Sequence, residues 1–522
     1  MGDCIVAPMK PLTTSVYTFP DLIHGGYHYV DKTGEIYRLV QEYKGQFFLA
    51  RPRRFGKSLL VSTLKSLFQG HQGLFSGLAI STTNYEWTSY PVLHMDLGTC
   101  TAQTAESTDR ALEELVDEKA REFDLSLSNT SASSRFRELI QRLGQRGKVV
   151  ILIDEYDKPL LGHLGQETAS EVQNVLKQFY SVIKATEPQQ RFVLLTGVSK
   201  FSKVSVFSDL NNLTDLTMSR DSATLLGYTQ QEVEENFPDY IQRLATTCGM
   251  SVEKTREDLR FWYNGYRFHQ DAPQVYNPVS LMKCLTNREF KNYWFETGPP
   301  TFLLDLLKKN PLDLGNLTVP EASFSAYEPH RLHSLPLLFQ TGHLTIKDTV
   351  QQGRQRAYRI GFPNFEIEES LSLAVASGFS NVALNDSFNT LSGMVDALES
   401  GDVDAMLGHL KTFFCNIPNT VSIRHEKYYQ TIFFTVFKLI GARIEAEVNT
   451  NTGRIDAVVK TSNAIYIFEF KLHATARDAM EQILEKDYAA AYRDDPRTKT
   501  LVGVGFDEKD RNLKDWVIQT AS

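Results

Sequence analysis

Phe47-Phe-Leu-Ala-Arg-Pro-Arg-Arg-Phe-Gly-Lys-Ser-Leu-Leu60 is the stretch from which the fold can be read. The apolar run Phe47 to Ala50 predicts a buried strand. A turn follows, then Gly56-Lys57-Ser58, then a helix-compatible segment from Leu59 to Phe68. Strand, loop, Gly-Lys-Ser and helix form the context of a phosphate-binding loop. In such a loop the backbone N–H groups from Arg54 through Phe55, Gly56, Lys57, Ser58 and Leu59 point at phosphate and supply partial positive charge. Lys57 reaches the β- and γ-phosphates, and the Ser58 hydroxyl meets Mg²⁺. One position departs from the pattern G-x-x-x-x-G-K-[ST]. Arg51 stands where the first glycine is expected, which limits how tightly the loop turns. Read by itself, the stretch also fits an ordinary basic turn before a helix.

A second run, Lys148-Val-Val-Ile-Leu-Ile-Asp154-Glu155, favours the first reading. Its β-branched residues and short length predict a buried parallel strand. Such a strand delivers its last residue to the carboxyl edge of the sheet, where open α/β sheets bind ligands. Asp154 is the expected Mg²⁺ carboxylate, and Glu155 the base for, or positioner of, the attacking water. The competing expectation is a strand ending in a solvated acidic turn, to which Asp157 would belong.

Around these two runs, strands and helices alternate. Residues 1–20 read as a leader with little structure. Gly25 to Thr33 reads as a turn, a short strand and a helix start, with Thr33 or Asp31 as cap. Pro91 to Leu97 is a further strand, Ala105 to Leu143 is helically patterned, and Arg191 to Gly197 is again an apolar strand. Thr214 to Met218 adds a possible last strand. The alternation predicts an α/β, doubly wound parallel sheet. A strand between the loop and the Asp-Glu run, with Glu after Asp, resembles the additional-strand branch of P-loop ATPases, which includes AAA and switch ATPases. That resemblance puts Thr196 and Ser199 where a polar sensor of the γ-phosphate lies. It also makes Lys200, Lys203 and Arg220 candidates for charge stabilisation. The predicted divisions are an ATPase domain at 1–225, a helical lid at 226–330, a winged-helix-like segment at 331–375 and a last α/β domain at 376–522.

The last domain carries a separate constellation. Glu445 to Val459 reads as strand, turn, strand, with Asp456 on the second strand. Ala464-Ile-Tyr-Ile-Phe-Glu469-Phe-Lys471-Leu472 follows after a short turn. Period-2 alternation places Glu469 and Lys471 on one face and Phe468, Phe470 and Leu472 on the other. Pairing with the Asp456 strand gathers two carboxylates and a lysine. Carboxylates hold Mg²⁺, which keeps several waters, and the metal activates water against a phosphodiester. Lys471 orients that water or neutralises developing charge.

The pattern D-(x)n-E-x-K resembles the PD-(D/E)XK nuclease superfamily. By that resemblance Glu426, at the start of a helix, takes the place of an upstream acidic residue. Gln482 takes that of a glutamine on the following helix. Nearly the whole chain resembles the AAA-ATPase-like family with a C-terminal PD-(D/E)XK domain, through Tyr29-Val-Asp-Lys-Thr33, Arg51 to Ser58, Ile153 to Asp157, Thr196 to Ser199, Tyr263 to Phe268, Tyr276-Asn-Pro278 and the Gly453 to Lys471 block. The resemblance implies ATP and Mg²⁺ at the first site, Mg²⁺ at the second, and a nucleic-acid substrate, DNA in preference to RNA. It also leaves a homo-oligomer open, since AAA-type proteins often form rings.

The composition agrees with these expectations. At 522 residues the chain is too long for one core. A net charge of −8 argues against a nucleic-acid coat over the whole surface, but not against a local basic groove. The five cysteines are scattered without a C-x-x-C, which speaks against a disulfide framework. No signal pattern or membrane-length apolar run occurs, so an intracellular, cytoplasmic protein with no membrane partner is expected. Two functions remain: an ATP-binding and hydrolysing protein whose nucleotide state controls a metal-dependent nuclease, or a nucleotide-dependent switch or scaffold whose nuclease-like domain only binds nucleic acid or a protein.

Overall fold

The computed structural model describes residues 9–100, 103–163, 166, 168–200, 212–294, 303–304, 306–307, 312, 317–324, 334–352, 355–380, 384–415, 426–441, 445–451, 454–471, 474–507 and 512–521. The chain divides into two compact units, Met1–Lys291 with Pro320–Arg356, and Asn292–Val319 with Ala357–Ser522.

In the first unit, β1 (Gly45–Ala50), β2 (Val92–Asp96), β3 (Val149–Asp154), β4 (Gln190–Gly197) and β5 (Thr214–Asp215) form a five-stranded sheet of order β2-β3-β4-β1-β5. All its pairings are parallel. β3 and β4 are buried along their whole length, as central strands covered on both faces should be. The register aligns Ala50 with Gly197 and Asp96 with Asp154, so the ends of four strands arrive together at one edge. α1 (Phe19–His24) and α2 (Thr33–Val40) precede β1. α3 (Lys57–Phe68) leaves the phosphate loop and buries Leu60, Val61, Leu64, Leu67 and Phe68. This is the α/β sheet of a P-loop NTPase.

Four local expectations need correction. The segment 27–32 is not a strand: it pairs with no other strand, and its fixed points are hydrogen bonds such as His28 N–H to Pro11 O at 2.9 Å. The helical pattern from 105 to 143 is two helices, Ala105–Glu122 and Ala132–Gly144, each opened by its own capping box, at Thr104 and at Ser131. Asp157 is not in a solvated turn but is 2% exposed. The N-cap of α2 is Lys32, neither Thr33 nor Asp31, but Asp31 Oδ1 accepts from Thr33 N at 2.8 Å just before the first turn. After the sheet come helices Gln230–Asn236, Pro238–Cys248, Val252–Tyr263 and Pro278–Asn287. Helix Ser334–Gln340 is followed by Gly342 with φ 85° and by strands Thr345–Gln352 and Gln355–Gly361.

The second unit contains a mixed five-stranded sheet. Its strands run in chain order: Glu445–Asn451, Arg454–Lys460, Ala464–Lys471, Thr498–Asp507 and Asn512–Thr520. Only the third and fourth are parallel, and helix Ala476–Glu485 makes the crossover between them. That helix lies so close to the sheet that a Cβ at Gly503 would meet Ala476 O at 2.5 Å and Met480 N at 2.7 Å. Ile465 and Ile467 pack with Met480 and Ile483 of this helix. Phe468 and Phe470 point the other way, their rings 5.3 Å from Phe437 and 4.6 Å from Phe433 on helix Glu426–Gly441. The strand thus alternates between two apolar layers, as its sequence predicts, with Leu472 outside the described residues.

Candidate active sites

The loop after β1 is bent by two left-handed residues, Arg54 at φ 68° and Gly56 at φ 89°. Gly56 sits at the N-cap of α3 and adopts the backbone conformation that a side chain disfavours. No side chain caps α3, so its first N–H groups remain for a ligand. Lys57 is buried, and its Nζ donates to Arg51 O and Pro52 O, each at 3.0 Å. Burial lowers the affinity of this amine for its proton, while Asp154, Asp157 and Glu155 act in the opposite sense. A polyanion entering the loop would restore the lost stabilisation of the charge.

The carboxylates stand at the end of β3. Asp154 Oδ1 accepts from the Thr196 hydroxyl and from Glu155 N at 3.0 Å. Both bonds fall on one oxygen of a carboxylate that is 3% exposed. Glu155 turns through φ 50°, a sparsely populated conformation held here by its neighbours. Tyr156 N donates to Thr196 O at 2.9 Å, and Tyr156 OH donates to Ser199 O at 2.8 Å. Asp157 Oδ2 accepts from Val198 N at 3.1 Å, from Ser199 N at 2.7 Å and from the Ser199 hydroxyl. The Asp-Glu-Tyr-Asp corner is therefore stitched to the end of β4. Burial first, and Asp154 and Asp96 further, raise the Glu155 carboxyl above its ordinary value, while Lys158 and Lys57 pull it down.

A cavity of about 400 Å³ opens beside the loop. Arg54, Phe55, Gly56, Lys57, Ser58, Leu59 and Glu155 all reach it. Its remaining wall is largely apolar, with Tyr29, Val30, Leu226, Tyr228 and Met282. The uncapped helix start, the buried lysine and the adjoining apolar pocket fit a nucleoside triphosphate. Ser58 and Asp154 are the oxygen donors that fit its Mg²⁺. Thr196 and Ser199, by contrast, are fully buried, and their hydroxyls engage Asp154 and Asp157 rather than the cavity. Lys200 forms an ion pair with Asp215, Arg220 is exposed, and Lys203 lies outside the described residues. Sequence reasoning missed the segment Leu225 to Tyr228 as a wall of the pocket, since nothing in its local pattern signals a ligand.

In the second unit, register sets Asp456 directly opposite Glu469. Glu469 is fully buried, and Lys471 Nζ lies 3.4 Å from its Oε1. The same ammonium donates to Gln482 Oε1, and Gln482 Nε2 donates to the Tyr488 hydroxyl at 3.2 Å. Strand alternation and the crossover helix thus bring together Glu469, Lys471 and Gln482, which are separate in sequence. The side chains of Asp456 and Glu426 lie outside the described part of the structure. Among the described residues no three His, Cys, Asp or Glu side chains gather as metal ligands. The carboxylate chemistry of Asp456 and Glu469 fits Mg²⁺, which needs few protein ligands because it retains water.

The geometry at Glu155 gives a direct test of its role. Glu155→Gln should lower ATP hydrolysis on the order of 10²–10⁴-fold while leaving ATP affinity nearly unchanged. A base must be ionised, so wild-type hydrolysis should fall as pH drops through a carboxyl pKa raised above 4.5, and the variant's residual rate should lack that limb. The check is the pH dependence of steady-state phosphate release for both proteins.

Residues 13–207 match the family described as predicted AAA-ATPase, and residues 424–516 match the PD-(D/E)XK nuclease superfamily. A protein of Azotobacter chroococcum mcd 1, described as an uncharacterized protein in the vnfD 5′ region, is 35% identical over 526 residues, spanning 98% of this chain and 99% of the relative. Among the described residues no helix is long and apolar enough to cross a membrane. With the P-loop sheet at one end and the Asp456, Glu469 and Lys471 strands at the other, the chain belongs to the AAA-ATPase-like family that carries a C-terminal PD-(D/E)XK nuclease superfamily domain.

Proposed function

We propose that this cytoplasmic protein binds and hydrolyses ATP, and that its nucleotide state controls a metal-dependent nuclease acting on nucleic acid, DNA in preference to RNA. The observation that carries the nuclease half is the Lys471 ammonium held between Glu469 and Gln482 on the strand opposite Asp456. A lysine held this way has its charge fixed in place before substrate arrives, which is what stabilising a developing phosphodiester charge requires. Asp456 and Glu469 would hold Mg²⁺, which would supply Lewis-acid charge and lower the pKa of its bound water. Lys471 then faces the charge that grows on the phosphate, and Gln482 keeps the ammonium from swinging away.

At the other site, Lys57 neutralises the β- and γ-phosphate oxygens and Glu155 accepts the proton of the attacking water. Thr196 and Ser199 take part as supports for the carboxylates of Asp154 and Asp157. The predicted lid at 226–330 and winged-helix-like segment at 331–375 are the parts through which ATP would shift the population of cutting-competent states.

The test is cleavage of plasmid, single-stranded DNA and RNA by the full chain with Mg²⁺ or Mn²⁺, with and without ATP. Metal-dependent cutting should vanish in Asp456→Ala. Its ATP dependence should vanish in Lys57→Ala. Cutting that is identical at every ATP concentration in both the wild type and Lys57→Ala would remove nucleotide control. No cutting of any substrate, with ATP still hydrolysed, would leave the switch-or-scaffold reading.

A further inference from the structure

Arg51 occupies the place where a phosphate loop ordinarily has its first glycine, and it is 1% exposed. Its guanidinium does not turn toward the nucleotide cavity. Nη1 donates to Ala50 O at 2.9 Å and to Thr217 O at 2.7 Å, and Nη2 donates to Ser222 O at 2.9 Å. The Cζ lies 4.0 Å from the centre of the Phe268 ring. The nearby carboxylate, Asp215, is ion-paired with Lys200. A buried cation resting on carbonyls and a ring face is costly to desolvate, and burial pulls its pKa down to about 9.

What the guanidinium holds is informative. Thr217 and Ser222 belong to the segment that continues into Leu225, Leu226, Gly227 and Tyr228, an apolar wall of the nucleotide cavity that carries no cationic side chain of its own. The same segment is held a second time, by Lys32 Nζ donating to Thr224 O at 2.8 Å. Lys32 is itself paired with Glu232 at 2.6 Å. Two buried cations thus grip one stretch of backbone by its carbonyl oxygens, and one of them is rooted in the phosphate loop. The grip is on main chain, so no side chain along 217–224 advertises it.

We propose that Arg51 is a positioning residue that fixes the 217–228 wall against the phosphate loop, and that it thereby sets affinity for the nucleoside half of ATP rather than for the triphosphate. This rests on reading the cavity as a nucleotide site. The experiment compares binding of ATP and of inorganic tripolyphosphate, each with Mg²⁺, to the full-length wild type and to Arg51→Met, Arg51→Gly and Phe268→Leu. Arg51→Gly recreates the glycine pattern of an ordinary phosphate loop. If the loop alone mattered, it should bind ATP at least as well as the wild type.

The expected result is a rise in the ATP Kd of about tenfold or more in both Arg51 variants, with the tripolyphosphate Kd within about twofold of wild type. Phe268→Leu, which keeps the guanidinium and its carbonyl bonds but removes the ring face, should shift ATP in the same direction by less. Equal losses for ATP and tripolyphosphate would mean that Arg51 shapes the phosphate cradle, and would overturn the proposal. So would an unchanged ATP Kd in Arg51→Gly. If neither Arg51 variant shows a cooperative melt, Phe268→Leu decides: a change confined to ATP supports the proposal, and no change or a change in both ligands overturns it. Failure of the wild type to bind either ligand would instead remove the nucleotide reading itself.

Discussion

Lys57→Met should reduce ATP hydrolysis on the order of 10²–10³-fold while leaving the unliganded protein no less stable than the wild type. The two halves of this expectation come from one geometry. The amine is buried against two backbone carbonyls, and burial lowers its pKa. A lysine whose folded pKa lies below its unfolded value is a liability to the fold whenever it must carry charge. Between the two pKa values the unfolded chain binds more protons, so stability rises with pH there, and the full penalty is present below the folded pKa. Methionine fills similar space without that penalty, at the cost of two hydrogen bonds of about 1 kcal/mol each. With ATP bound, the balance reverses. The ammonium would then face the β- and γ-oxygens, and the charge that burial penalised would become the one that the triphosphate needs. Thermal melting with and without Mg-ATP checks this: the wild type should gain stability on adding nucleotide and Lys57→Met should gain almost none. A variant that melts well below the wild type without nucleotide would show that Lys57 is structural.

Much of this site is legible in the sequence because its signals are local. The run Val149 to Ile153 favours a buried parallel strand, and such a strand sends Asp154 to the ligand edge of the sheet. Gly56-Lys57-Ser58 carries its own backbone requirement. The unread parts are those in which distant segments meet. Asp157 looks like a solvent-facing acid in sequence, and becomes a buried acceptor only because β4 ends beside it with two N–H groups and a hydroxyl to place. Arg51 looks like a defect in a motif until Thr217 and Ser222 arrive from a later turn. Ser199 resembled a phosphate sensor by position, yet its hydroxyl is committed to Asp157. In the second unit the facing of Asp456 and Glu469 was legible, since a short turn between two antiparallel strands leaves little freedom in register. The length of the helical stretch from 105 to 143 was misjudged because residues 123–131 lack proline, and only the second capping box reveals the break.

Glu469→Gln should lower metal-dependent cleavage on the order of 10³-fold with little loss of stability, whereas Lys471→Met should lose both. Glu469 is fully buried and Lys471 Nζ lies 3.4 Å away, with the lysine side chain 19% exposed. Glutamine keeps the shape and removes the charge, so the desolvation cost of a buried carboxylate disappears together with its attraction to Lys471. The ammonium retains Gln482 and a path to solvent. Methionine at 471 does the opposite. It leaves a negative charge deep in the sheet and takes away the cation 3.4 Å from it, which should cost about 1–3 kcal/mol after allowing for the lysine's partial exposure. The double variant Glu469→Gln, Lys471→Met should recover most of that stability and none of the cleavage, because a neutral pair of similar volume avoids burying a charge whose nearby ammonium has been removed. Urea melts of the three variants, run beside a plasmid-cleavage assay, separate the two roles. A residue needed only for folding loses activity in proportion to stability. Here Glu469→Gln, although inactivated, should be nearly as stable as the wild type. If Glu469→Gln instead cut at the wild-type rate, the carboxylate would be a structural partner of Lys471 and the strand would carry no nuclease.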